Sequence, residues 1–205
     1  MYAYKKKKLD ILLCGNYDED ISQIKLLYNK DKNYFINKIK NNEPLSHAER
    51  LVYTEDILKQ NKYNTLHFGL TSGKKINNVY HRVHSLMTKK VDLIIILLTN
   101  YGGALFEHAM VTMLNLGYKT INLIREDEKS KFTGMLLKGT FLMQETKIIH
   151  YNSDRELQEF IIRGVDTFRL DYSIREKAKK NIEERTKRKK LIQSFVDGVV
   201  DIFKP

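Results

Sequence analysis

The chain has 205 residues, with 36 Lys+Arg against 25 Asp+Glu and a formal net charge of +11. Hydrophobic residues make up 42% and charged residues 30%, enough for a packed core and too apolar for wholesale disorder. One cysteine, Cys14, excludes an internal disulfide framework and a zinc site built on cysteines.

No apolar run approaches the ~20 residues of a membrane-spanning helix. Residues 9–14, behind a basic N-terminus, are interrupted by Asp10 and too short for a signal-peptide core. The expectation is a soluble, cytoplasmic protein with no membrane partner.

In chain order, short apolar runs alternate with longer helical stretches. Residues 9–14 predict a strand ending at Gly15. Residues 18–40 predict one helix, with Ile21, Ile24, Leu27 and Tyr28 at helical spacing. Pro44 follows, and Ser46 with Glu49 three residues on is a capping box, opening a helix to about Gln60. Residues 65–68 predict a short strand and 76–88 a helix. Residues 91–98 (VDLIIILL) are branched, apolar and nearly continuous, as a central parallel strand buried on both faces requires. A helix over 103–116 closes at Gly117. Residues 119–124 form the next strand, 129–138 a loop and short helix, and 146–150 a last strand. Ser153, with Glu156 at the capping-box position, opens a helix to 169. This alternation predicts an α/β fold, a Rossmann-like three-layer sandwich with a central parallel sheet.

Residues 175–190 hold nine basic and three acidic side chains, with no Gly or Pro. They predict a C-terminal helical extension with a basic face. Two readings stand: a solvated surface, or a site for nucleic acid or another polyanion. Aromatic residues of the kind that stack on bases are absent from it. Residues 91–170, in contrast, hold nine basic and ten acidic side chains.

Parallel sheets bind ligands at the carboxyl ends of their strands. That rule singles out Gly15-Asn16-Tyr17, Asn100-Tyr101-Gly102-Gly103 and Arg125-Glu126-Asp127. The two glycines let backbone approach a ligand. Glu107 is expected within about the first turn of the following helix, where the helix dipole favours its ionised form. An ionised carboxylate there suits nucleophilic attack at a sugar carbon; otherwise it complements the dipole on a wet surface. His67, His81 and His84 lack Cys or acidic neighbours for a metal site, and no cofactor is implied.

The ordered set Cys14-Gly15, Asp92, Gly102-Gly103, Glu107, Lys119-Thr-Ile121 and Met135 to Gly139 resembles the nucleoside 2-deoxyribosyltransferase family. That family includes nucleotide N-hydrolases. The likeness covers about residues 9–150, with an insertion near 30–62. Leu13-Cys14-Gly15, Val91-Asp92 and Lys129-Ser-Lys131 look closer still to the N-glycosidase-like effectors of bacterial retron defence systems. A fold-level likeness to Lonely Guy-type phosphoribohydrolases is weaker, because the Gly103-to-Glu107 spacing is shorter than theirs. The resemblance implies a deoxyribosyltransferase-like domain over 1–170 and an extension over 171–205. It implies hydrolysis of a base–sugar bond in a nucleoside or nucleotide, with Glu107 attacking C1′ or stabilising an oxocarbenium-like state. Gly15, Asn16, Tyr17, Asp92, Asn100, Gly102, Gly103, Thr133 and Met135 are then substrate-binding. His84 stands where the family often has an acid. It serves as a general acid, or else as a packing residue. The alternatives are deoxyribosyl transfer and a non-catalytic nucleotide sensor. A homo-oligomer is implied, as is a toxin held silent by a reverse transcriptase–DNA complex on the basic helix.

Overall fold

The structure is a computed structural model, and it describes residues 8–16, 21–31, 33–67, 87, 91–99, 102–114, 116–129, 132 and 146–170. Among the described residues, five strands, β1 (Asp10–Cys14), β2 (Asn64–His67), β3 (Leu93–Leu97), β4 (Thr120–Arg125) and β5 (Lys147–Tyr151), form one sheet in the order β2-β1-β3-β4-β5. Every neighbouring pair is parallel. The fold is therefore α/β and Rossmann-like, as the alternation predicts. The described helices are α1 (Ile21–Tyr28), α2 (Tyr34–Lys40), α3 (His47–Gln60), α4 (Gly102–Met113), α5 (Glu126–Lys129) and α6 over 154–170. The chain divides into two compact units, Met1–Gly164 and Val165–Pro205. Only residues 165–170 of the second are described.

All five residues of β3 are buried, which is why the strand can be aliphatic throughout. Alternation along the strands assigns the two faces. Leu12, Cys14, Ile94, Ile96 and Ile124 pack with Ala104, Met110 and Val111 of α4. On the opposite face a Cβ at Gly15 would meet Leu51 of α3, and one at Gly164 of α6 would meet Ile149 and Ile121.

The predicted helix over 18–40 is two helices. Backbone bonds from Asn29 and Lys30 to Leu26 and Leu27 close α1, and the Asp31 side chain accepts from the Asn33 N–H. Asn and Asp offer the backbone such local bonds in place of a helix ladder. The capping box at Ser46 is formed on both sides, and α3 buries ten residues. Residues 47–60 are thus the crossover between β1 and β2 and part of the core. The predicted helix over 103–116 stops at Met113, and Gly117 instead opens a 3-10 turn over Gly117–Lys119. At the start of α6, Glu156 accepts from the Asn152 N–H at 2.7 Å, one residue earlier than the expected capping box. The expected helices over 76–88, apart from Met87, and over 175–190 lie outside the described residues, as do Tyr17, His84, Asn100, Thr133 and Met135.

Among the described residues, no helix is long and apolar enough to cross a membrane.

Candidate functional site

The strand order places a topological switch point between β1 and β3. From β1 the chain first builds outward to β2, then crosses to β3 on the other side. Connections leave the two carboxyl ends in opposite directions there, which opens a crevice. Gly15 and Asn16 follow β1, Leu98 and Thr99 follow β3, and α4 begins beside both.

Asn16 ties the two loops together. Its Nδ2 donates to Thr99 Oγ1 at 2.6 Å, and its Oδ1 accepts from the Ala104 N–H at 2.9 Å. It is 3% exposed, so these bonds answer its buried amide. The second bond also satisfies one of the donors that a helix N-terminus leaves open. Gly102 has φ +67°, and a Cβ there would sit 2.6 Å from Asn16 Oδ1. A left-handed backbone pressed against a neighbouring amide accepts only glycine.

Glu107 comes to the same place from α4. Its carboxyl accepts from the Gly15 N–H and from the Cys14 thiol. It does not lie in the first helical turn, which holds no acidic residue, and it is 4% exposed. The expectation of an ionised carboxylate held by the helix dipole is corrected accordingly. Burial pushes Glu107 up to about 8, against the pull of its two donors, so the proton stays on at neutral pH. Oε2 meets no hydrogen-bond partner among the described residues. Burial, with the adjacent Glu107 carboxylate, also raises the Cys14 thiol.

His108 turns the other way, toward β4, and its Nδ1 lies 3.5 Å from Asn122 Nδ2. Burial pushes its pKa down to about 4, so the ring is neutral.

Asp92 is not part of this site. It precedes β3, at the amino end of the sheet, and its Oδ2 accepts from the Asp10 N–H at 3.1 Å. The buried ammonium of Lys119 belongs to that end too, donating to the carbonyls of Met87 and Val91. The expected substrate contact at Asp92 is replaced by a structural bond between strand starts. Gly15, Asn16, Gly102, Gly103 and Glu107 are brought together at the carboxyl end. Asp92 is not among them.

A narrow crevice of about 10 Å³, room for about one water, runs along the carboxyl ends of β1, β3, β4 and β5. Asn16 and Thr99 form one end of its lining, and Arg50, Arg125 and Tyr151 contribute beyond them. Arg50 Nε is 2.6 Å from Asp154 Oδ1, a pair with side chains only 7% and 8% exposed. Arg125 pairs with Asp127 and approaches Asp154 at 3.9 Å. This crevice opens on the α3 side of the sheet, whereas Glu107 sits on the α4 side. Sequence reasoning misses Arg50, Thr99 and Tyr151. Their signal is positional, since each ends or follows a strand or lies in the first turn of a crossover helix at the carboxyl edge.

Neither a family model nor a curated protein matches the chain.

Proposed function

We propose that the protein cleaves the N-glycosidic bond of a nucleoside or nucleotide, with Glu107 as the working carboxyl. One observation carries the reading. A glutamate is held at the β1/β3 switch point, beside a glycine turn, with one oxygen turned away from its donors. Water is the second reactant. The C1′–N bond breaks, a C1′–O bond forms, and the base leaves with a proton. The carboxylate form of Glu107 attacks C1′ or balances its developing positive charge, and the Gly15 N–H and Cys14 thiol hold that carboxylate in place. Only the minority of molecules with Glu107 ionised is competent at neutral pH. Base release should therefore rise with pH through about 8, the value to which burial pushes Glu107.

The test is base release from a panel of nucleosides, nucleotides and dinucleotides by wild type, Glu107→Gln and Glu107→Ala. Loss of release in both variants is expected, by at least about 10²-fold for a group acting on the reacting atoms. Unchanged release in both sinks the assignment.

A second reading is favoured by the burial of Glu107, which is 4% exposed and keeps its proton at neutral pH. A nucleotide held at the carboxyl edge of the sheet without chemistry makes the protein a sensor. Saturable binding of an unmodified nucleotide, lost in Thr99→Val and accompanied by no free base, selects this reading.

A further inference from the structure

Three consecutive residues tie the end of β1 to the chain that follows β3. The Cys14 thiol and the Gly15 N–H hold the Glu107 carboxyl. The Asn16 amide holds Thr99 and Ala104, 83 and 88 residues away. Behind that amide the site is shut. Cys14 is 0% exposed and Glu107 4%. A Cβ on Gly15 would already touch Leu51 at 3.0 Å, and one on Gly103 would meet the Gly15 carbonyl at 3.5 Å. The crevice lined by Asn16 and Thr99 has room for about one water. A molecule the size of a sugar reaches Glu107 only after the packing around it parts.

The bonds of Asn16 cross the seam next to Gly15, the carboxyl's own donor. A carboxamide carries a donor and an acceptor on one short planar group. Its donor answers the Thr99 hydroxyl and its acceptor answers the Ala104 N–H. Neither bond belongs to the sheet ladder, and a donor in the first turn of a helix has no partner within the helix. Both join neutral groups, so they exchange for other hydrogen bonds at little net cost. Their release therefore parts the seam and leaves the strands and α4 intact.

We propose that the Asn16 side chain is a latch: it holds the Glu107 site closed, and the site opens when the amide leaves Thr99 and Ala104. Asn16 is thereby a positioning residue and not a contact to the substrate. A substrate hydroxyl, donor and acceptor in one group, takes over the Ala104 N–H and the Thr99 hydroxyl, so opening exchanges hydrogen bonds instead of losing them. That exchange rests on the reading of Glu107 given above; the latch does not.

Cys14 is the only cysteine of the chain, so labelling with a small thiol reagent, methyl methanethiosulfonate, reports on this seam. The full chain is labelled without ligand over a series of low urea concentrations. Wild type should react slowly, at a rate indifferent to urea until global unfolding takes over, the mark of a local opening. Asn16→Ala should raise that flat rate roughly 10- to 100-fold, as two lost hydrogen bonds require. Thr99→Val should raise it roughly 3- to 10-fold, and Thr99→Ser, which keeps the hydroxyl, should match wild type. Phe35→Ala, a cavity in the core beneath α2, should bring on global unfolding at lower urea without moving the flat rate. A flat rate unchanged by Asn16→Ala and Thr99→Val, or raised as much by Phe35→Ala, overturns the latch. So does a wild type labelled only through global unfolding. Equilibrium dialysis of deoxyadenosine supplies the second arm. A ligand of the open form gains apparent affinity as the open fraction grows, so Asn16→Ala should bind it more tightly, by about the factor seen in labelling. Weaker or unchanged binding overturns the proposal, and weaker binding makes Asn16 a substrate contact. Labelling as described, with deoxyadenosine bound by neither protein, leaves the latch standing, and the catalytic reading alone falls.

Discussion

At the scale of single residues, Glu107 and His108 are neighbours whose burial acts with opposite sign. Glu107 holds its proton up to about 8 in the fold, against an ordinary 4.5. Between those values the folded chain binds more protons than the unfolded one. Stability from this group is complete below 4.5 and falls as pH rises to 8, at about 1.4 kcal/mol per pH unit. His108 is depressed to about 4 from an ordinary 6.5, so the unfolded chain binds more protons there and stability rises over that window. The two slopes offset one another between 4.5 and 6.5, and the fall due to Glu107 stands alone above it. Urea unfolding of wild type and Glu107→Gln at pH 6 and pH 8 checks this. Wild type should lose about 2 kcal/mol more than the variant, and parallel losses would refute it. The burial of both residues is legible in the sequence in one respect. Ala104, Glu107, His108 and Val111 stand at i, i+3, i+4 and i+7, the spacing of a core-facing stripe. Nearness to the helix start suggests exposure, and it misleads because it carries no information about which side of the helix meets the sheet.

At the scale of elements, the Arg50–Asp154 pair joins α3 to the start of α6 across 104 residues of sequence. Asp154 Oδ2 also accepts from the Leu45 N–H at 3.0 Å, just ahead of the α3 cap. Removing one partner of a buried pair leaves the other charge without compensation, at a cost of about 3–5 kcal/mol. Arg50→Met should lower stability by that amount in denaturant melts, and Arg50→Met with Asp154→Leu should recover part of it. A single variant within about 1 kcal/mol of wild type would show the pair to be incidental. No sequence pattern announces a contact of this range. The strands and the capping box at Ser46 are readable, because periodicity and caps are local. The break between α1 and α2 is obscured by apolar spacing that continues through it, although Asn29, Asp31 and Asn33 supply the competing turn chemistry. Asp92 is readable by topology alone: a residue ahead of a parallel strand stands at its amino end, away from the crevice.

At the scale of the whole molecule, the net charge of +11 carries an expectation with a definite salt dependence. Binding of a polyanion to the basic stretch over 175–190, if that stretch is its site, weakens steeply as counterions are no longer released to advantage. A titration of single-stranded DNA at two salt concentrations, for wild type and for a chain with the lysines and arginines of 175–190 replaced by glutamine, tests this. Equal affinity for wild type and the replaced chain removes the nucleic-acid expectation.

The position of β1 between β2 and β3 also bears on how the chain is made. β1 leaves the ribosome before its hydrogen-bonding partners, which follow at separations of 54 and 82 residues. The Asn16–Ala104 bond that joins the site's two loops waits for a separation of 88. Until β3 has emerged, the strand that anchors the sheet is an apolar ribbon with an open edge, and such ribbons invite aggregation. Slow synthesis through residues 65–100 prolongs that exposure, so the yield of active protein should depend on translation speed and chaperone supply in this stretch more than in any later one.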